Sequence, residues 1–303
     1  MADTAVNDPS GNEEIKRVSG ITKILRGIAL IRESGVGMVG AVICLFWALV
    51  AIFAPWIAPF DPLATLQPMA APGTLYEAGN NGATFWLGTD HIGRDILSRI
   101  IWGSRTVLIY APLATLSAYI VGIAMGLIAG YKGGWIDEVF SFLANVILAF
   151  PVLVLYVIII AIVGASAINI VIAITFASAP SIMRIVRGLV LDLRTRDYVA
   201  AAETRGESNF WVMVIEILPN ARGPLIVDAC LRLGYVTITI GVLGFLGLGL
   251  PPPDPDWGGM INETRSMAMF AAWMSVFPCL AISSLVLGLN LLADGLREIS
   301  MRD

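Results

Sequence analysis

Five long stretches of the chain contain no aspartate, glutamate, lysine or arginine. A helix needs about 20 apolar residues to cross a bilayer, so each stretch is long enough to do so. The third stretch, 139–183, has 45 residues, enough for two crossings that turn at the small residues Gly164-Ala165-Ser166-Ala167. The pattern therefore predicts six membrane-spanning helices, at about 35–55, 106–130, 139–163, 167–184, 223–249 and 271–293.

The composition agrees with a membrane protein. Hydrophobic residues make up 57% of the 303 residues and charged residues only 14%, whereas soluble domains carry about 25% charged residues. We therefore expect an all-α integral membrane fold.

The basic residues indicate how the chain is oriented. With the N-terminus in the cytoplasm, fourteen of the 19 lysines and arginines lie on the cytoplasmic side, as the positive-inside rule requires. Both termini are then cytoplasmic. The expected organisation is a cytoplasmic tail with an amphipathic helix (1–34), a first span (35–55), a periplasmic segment of about 50 residues (56–105), a core of five spans (106–293) with a cytoplasmic loop (185–222), and a C-terminal tail (294–303).

Several kinds of chemistry are excluded by what the sequence lacks. One histidine and three cysteines in apolar segments cannot form a local metal cluster. No lysine follows a glycine, so the P-loop that binds nucleotide phosphates is missing. A net charge of −4 also argues against a nucleic-acid partner. We expect no catalytic residue, metal or cofactor in this chain.

Three positions inside the predicted spans stand out. Asp228 and Arg232 are the only charges in the interior of one, and their spacing of four allows them to pair on one face. With the helix beginning near Gly223, Asp228 lies only about 8 Å deep, which favours a structural pair beside a gate over substrate contact. Pro151 should kink the third helix, either for gating or for shape alone.

Two clusters of motifs lie outside the spans. The segment Gly88-Thr89-Asp90 with Gly93-Arg94-Asp95 suggests a capped surface helix, in which Asp90 accepts first-turn amides and Asp95 pairs with Arg99. The segment from Asp197 to Ile217 has helical propensity with a hinge at Gly206. It could be a plain interfacial connection between two spans.

The second cluster resembles a known motif. Tyr198-Val199-Ala200-Ala201-Ala202, Gly206 and Leu218-Pro219-Asn220 are spaced like the cytoplasmic "EAA" loop of ABC importer permeases, whose first half is the coupling helix that docks on the ATPase. Two positions depart from the motif: Ala200 replaces its glutamate, and Glu216 replaces an aliphatic residue.

Further segments resemble the C-type permeases of dipeptide, oligopeptide and nickel importers. The segment Gly88–Arg105 is similar to their GTDxxGRDxxSR signature, and Phe245–Gly258 and Asn290–Arg297 are similar to their last two spans. In the third helix, Phe142 and Asn145 stand where that family usually has arginine and aspartate. Asn145, like Pro151, Asp228 and Arg232, is a candidate pathway residue.

The resemblance implies a type I importer fold in the cytoplasmic membrane of a prokaryote. It also implies a homologous permease partner, two ATP-binding subunits that hold ATP and magnesium, and an extracytoplasmic solute-binding protein. The chain would form half of a pathway for peptides or similar solutes. The alternatives are an ion-coupled transporter or channel that acts alone, disfavoured because the apolar runs lack charges, and a membrane scaffold, which leaves the loop spacing unexplained.

Overall fold

The computed structural model describes residues 34–76, 82–250 and 254–300. The tail predicted for 1–33 lies outside them. Helices dominate, and two paired strands of two residues each lie between the first two long helices. The elements are α1 (Gly35–Ile57), β1 (Thr74–Leu75), β2 (Thr84–Phe85), α2 (Ile96–Lys132), α3 (Gly134–Leu148), α4 (Val152–Val163), α5 (Ala167–Leu193), α6 (Asp197–Thr204), α7 (Asn209–Trp211), a π-helical turn (Val212–Ile217), α8 (Leu218–Phe245), α9 (Trp257–Thr264), a 3-10 turn (Arg265–Met267) and α10 (Trp273–Ser300).

Five helical segments of the described chain are long and apolar enough to cross a membrane. They are α1, α2, α5, the continuous helix Asn209–Phe245, and α10. The predicted third span, 139–163, is instead the pair α3 and α4, bent by 90° at a short break. Pro151 caps α4 at this break and has no N–H to continue the ladder of α3. The count reaches six if the bent pair crosses as one span.

Several helices extend beyond the limits set by the charge-free runs. Helix α2 begins at Ile96 rather than near 106, because Asp95 caps it and the helix includes Arg99 and Arg105. Helix α5 continues to Leu193 rather than ending near 184. Charges at helix ends can lie in the polar membrane interface, so runs without charge underestimate helix length.

Helices α2 and α5 pack closely along most of their length. Gly122, Gly126 and Gly130 repeat every four residues and face Ile182, Val186 and Val190 at the same spacing. A Cβ atom at Gly126 would lie 2.6 Å from Cβ of Val186. Membrane helices associate through such small residues because the backbones can then approach closely. The matched spacing also shows that α2 and α5 run parallel.

The two ends of the bundle differ. At one end, the described residues 59–76 and 82–95 pack with α9 and the first turns of α2, and we call this region the cap. At the other end, α6 lies beneath the C-terminal turns of α2 and α5 and the first turns of α8. One cluster of buried apolar residues, which includes Trp257, forms the core nearer the cap. A second cluster, which includes Val186, forms the core nearer α6.

Candidate functional site

Helix α6 has one buried face and one exposed face. Val199 and Ala202 are fully buried, and they pack in the same cluster as residues of α2, α5 and α8. The tyrosine ring of Tyr198 is partly buried against that cluster. Ala200 and Ala201 are exposed. The predicted loop helix therefore presents small side chains outward and is anchored on the ends of three long helices.

Polar contacts add to this anchoring. The hydroxyl of Tyr131, near the end of α2, donates to Oε1 of Glu203 in α6 at 2.8 Å. The guanidinium of Arg194, which follows α5, donates through Nη1 to the carbonyl of Gly130 at 3.0 Å. The first bond holds α6 to α2, and the second holds the segment between α5 and α6 to α2.

The helical conformation ends after α6, at Gly206, the predicted hinge. Gly206 has a φ of +82° and no atom close to the position of a Cβ. Its backbone conformation, rather than lack of space, is what favours glycine. The unusual Glu216 accepts a hydrogen bond from Nη2 of Arg205 at 3.2 Å across this break, so the departure from the motif supplies an ion pair that joins the two halves of the loop.

The second half of the loop contains a π-helical turn, which the sequence pattern did not predict. The backbone N–H of Leu218 donates to the carbonyl of Met213, five residues earlier. Pro219 follows and cannot donate at all, so the regular ladder is interrupted at this point. Asn220 donates through Nδ2 to the carbonyl of Glu216 at 2.6 Å. Leu218, Pro219 and Asn220 therefore mark the joint between the loop and α8.

The signature residues of the cap form a buried ion network. Asp90 Oδ2 accepts from Nε of Arg94 at 2.6 Å and from Nη1 of Arg99 at 3.4 Å. Both arginines also contact the carboxylate of Glu263 in α9. The network joins the segment before α2 to a helix more than 160 residues later in the chain.

Two local contacts predicted for the cap, the pairing of Asp95 with Arg99 and the capping of a helix by Asp90, are wrong. Asp95 does not pair with Arg99, because its carboxylate caps α2 by accepting the N–H of Ser98 at 2.8 Å. Burial raises the pKa of Asp95, and hydrogen bonds to the side chain and the backbone of Ser98 lower it by less. Asp90 accepts the N–H groups of Ile92 and Arg94 in the turn before the helix, not those of a helical first turn. Gly88 and Gly93 lie in the turns before and after Asp90, with φ of +78° and +93°.

The predicted pair in the fifth span is present and belongs to a larger cluster. Nε of Arg232 donates to Oδ2 of Asp228 at 2.7 Å, and Nη1 donates to Oγ of Ser181 in α5 at 2.8 Å. The hydroxyl of Tyr119 in α2 also contacts Asp228. Because α8 begins at Leu218, Asp228 lies about 15 Å along it rather than the expected 8 Å.

The last candidate pathway residue, Asn145, lies in α3. Its side-chain oxygen accepts a hydrogen bond from Arg184 of α5. Arg184 is therefore bonded to Asn145, whereas Arg232 is bonded to Asp228 and Ser181. Asn145 is not in contact with the cluster around Asp228.

Comparison with protein families assigns most of the chain. Residues 122–302 match the family described as "Binding-protein-dependent transport system inner membrane component". Residues 31–72 match the "N-terminal TM domain of oligopeptide transport permease C". The chain belongs to this family of transport permeases.

Curated relatives of the permease agree. It is 39% identical over 262 residues to the dipeptide transport system permease protein DppC of Haemophilus influenzae, covering 86% of this chain and 88% of that protein. The di/tripeptide transport system permease protein DppC of Pseudomonas aeruginosa is 39% identical over 260 residues, with 86% and 85% covered. The glutathione transport system permease protein GsiD of Pectobacterium atrosepticum is 37% identical over 251 residues, with 82% and 81% covered.

The resemblance to peptide importer permeases is thereby confirmed, and the permease is a multi-pass inner-membrane protein. Sequence reasoning missed Glu263 in the cap and Tyr119 and Ser181 beside Arg232. Each meets its partner only through the tertiary fold. The one available signal was the presence of unpaired charges, which require partners when they are buried.

Proposed function

We propose that this permease is the C-type subunit of an ATP-driven importer of di- and oligopeptides or related small solutes, and that it forms half of the translocation pathway. Its relatives are named for the transport of dipeptides, di/tripeptides and glutathione, which supports this solute class. In this proposal the chain has no catalytic role and binds no cofactor. Its partners are a homologous permease, two ATP-binding subunits that hold ATP and magnesium, and a solute-binding protein.

The observation that carries the proposal is the arrangement of α6. Its outward face offers Ala200 and Ala201, which leave room for a partner surface. Its inward face buries Val199 and Ala202 among the ends of α2, α5 and α8. A surface of this kind can receive a movement on one side and transmit it to three spans on the other.

In the proposed mechanism, α6 is the coupling helix. ATP-driven closure of the ATP-binding subunits displaces it as a rigid body, and the attached helices tilt between inward- and outward-facing states. Such coupling requires contacts that differ between two states at one end of a stiff element. The ion pair between Arg205 and Glu216 helps the loop to move as one unit.

The proposed topology places α6 and both termini in the cytoplasm and the cap in the periplasm. The bias of basic residues toward the α6 side supports this orientation. In the cap, Asp90, Arg94 and Asp95 are buried, so we assign them to holding its shape. The exposed Trp86 and Ile92 beside them are better placed to meet a solute-binding protein.

The test is co-purification of the complex from membranes in mild detergent. A bulky residue on the outward face, Ala201→Trp, should reduce the ATP-binding subunits recovered with this chain at least about tenfold, because a central interface clash costs more than about 1.4 kcal/mol. It should also abolish ATP-dependent uptake. The matched control is Ala71→Trp, at an exposed alanine of the cap.

The control should retain the ATP-binding subunits at the wild-type level. Recovery of the wild-type chain without any ATP-binding subunit would refute the importer assignment. Normal recovery and uptake with Ala201→Trp would refute only the role of α6.

A further inference from the structure

A cavity of about 340 Å³ lies between the two halves of the bundle, because its lining includes residues of both buried clusters. It is bounded by α2, the α3–α4 pair, α5 and α8. At about 30 Å³ per water, the space corresponds to roughly ten waters. It is therefore large enough for part of a small solute and larger than a single ion needs.

One wall of the cavity is polar. Ser178 and Ser181 come from α5, Tyr156 from α4, and Arg232 and Thr239 from α8. The remaining lining is mostly apolar, and Arg232 is the only charged residue among those that line this cavity. A mostly apolar cavity with a few converging polar groups is typical of small-molecule sites.

The guanidinium of Arg232 is fixed in place. Asp228 engages Nε and Ser181 engages one N–H of Nη1, which account for two of the five N–H groups of a guanidinium. The Arg232 side chain remains 20% exposed. N–H groups therefore remain for a ligand in the cavity, on a side chain whose orientation is already set.

A purely structural role does not explain this arrangement well. An ion pair within a membrane protein is costly to bury, and apolar side chains usually pack as stably. The planar fork of arginine matches a carboxylate, and the nearby hydroxyls can bond a peptide amide. Asp228 offsets the charge of Arg232, so a carboxylate would be held only weakly. Weak holding suits a pathway, which a solute must also leave.

We propose that this cavity transiently binds the carboxylate-bearing end of a transported peptide, with Arg232 as the anion contact. The proposal rests on the function proposed above and extends it to a substrate contact. Ser181 is a positioning residue, since it acts through Arg232. The ligand class is a free peptide carboxylate.

The experiment uses the complete complex in proteoliposomes with the binding protein. ATP-dependent uptake is measured for a radiolabelled dipeptide and for its C-terminally amidated analogue, each relative to wild type. Arg232→Gln should lower uptake of the free dipeptide about tenfold or more, because a charge-assisted hydrogen bond is lost. Uptake of the amide should change less than about twofold. Arg232→Lys should restore part of the discrimination, and Ser181→Ala should weaken it.

Arg265→Gln is the matched control, since Arg265 is exposed and lies outside the cavity. It should affect neither peptide. Equal loss of both peptides with Arg232→Gln, or no loss of either, would overturn the carboxylate contact. A wild-type complex that transports neither peptide, while other solutes are imported, would instead refute the peptide assignment of the proposed function.

A second measurement does not depend on uptake of the amide. A dipeptide that ends in photo-leucine, with its carboxylate free, is irradiated with the complex, and the adducts are located by mass spectrometry. We expect adducts on the lining of the cavity, within residues 115–118, 148–156, 175–182 or 232–239. Adducts confined to other parts of the complex would overturn the proposal.

Discussion

Gly126 offers a direct test of the contact between α2 and α5. In Gly126→Ala, the new methyl would lie 2.6 Å from Cβ of Val186 and 2.8 Å from the carbonyl oxygen of Met183. Carbon atoms prefer separations of about 3.5–4.0 Å, so the two helices must move apart by about 1 Å. Overpacking of this kind costs about 1–3 kcal/mol.

The control is Gly188→Ala in α5. Gly188 is exposed, and apart from the neighbouring backbone of its own helix no atom lies within 4 Å of the position of the new methyl group. Both substitutions gain the same helix propensity, about 1 kcal/mol, so their difference isolates the overpacking. The expected cost corresponds to a difference in thermal midpoint of roughly 2–10 °C between the two variants.

The midpoints are measured on the purified protein in mild detergent, as the fraction that stays monodisperse after heating. Gly126→Ala should melt below wild type and Gly188→Ala at or above it. Equal midpoints for the two variants would refute the close contact between these helices.

Three further predictions concern the loop and the cap. Gly206→Ala forces a side chain into a φ of +82°, which costs about 1–2 kcal/mol; we expect ATP hydrolysis measured beside uptake to become partly uncoupled, and unchanged coupling would contradict the hinge. Glu263→Gln removes a carboxylate shared by Arg94 and Arg99 and should lower stability by about 1–3 kcal/mol; an unchanged thermal midpoint would show that the network contributes nothing. Burial raises the pKa of Asp256 to about 6, so the folded state binds more protons and wild-type stability should fall as the pH rises from about 4 to about 6. Asp256→Asn keeps a side chain able to cap α9 and should lose this pH dependence in thermal midpoints; the same slope in both proteins would refute it.

Local spacing predicted much of the fold and part of the candidate site. Within the described residues, the charge-free runs located the five helices long enough to cross a membrane, because a bilayer demands apolar length regardless of tertiary contacts. The i,i+4 spacing predicted the pair of Asp228 and Arg232, since both lie on one turn of the same helix. The break at Gly206 followed from its sequence position. Each of these features is determined within a few neighbouring residues.

The incorrect pairing of Asp95 with Arg99 arose because two interactions compete for one carboxylate. Spacing alone allowed Asp95 to pair with Arg99, since residues four apart on a helix are neighbours. Asp95 stands immediately before α2, however, and its carboxylate accepts the N–H of Ser98, a cap that contributes about 1 kcal/mol. Arg99 is then left buried, and its charge requires another carboxylate. Glu263 provides one only because α9 packs against the start of α2, and no local pattern specifies that contact. In the cap, the backbone N–H of Ser98 takes the carboxylate of Asp95, and tertiary packing supplies the partner of Arg99.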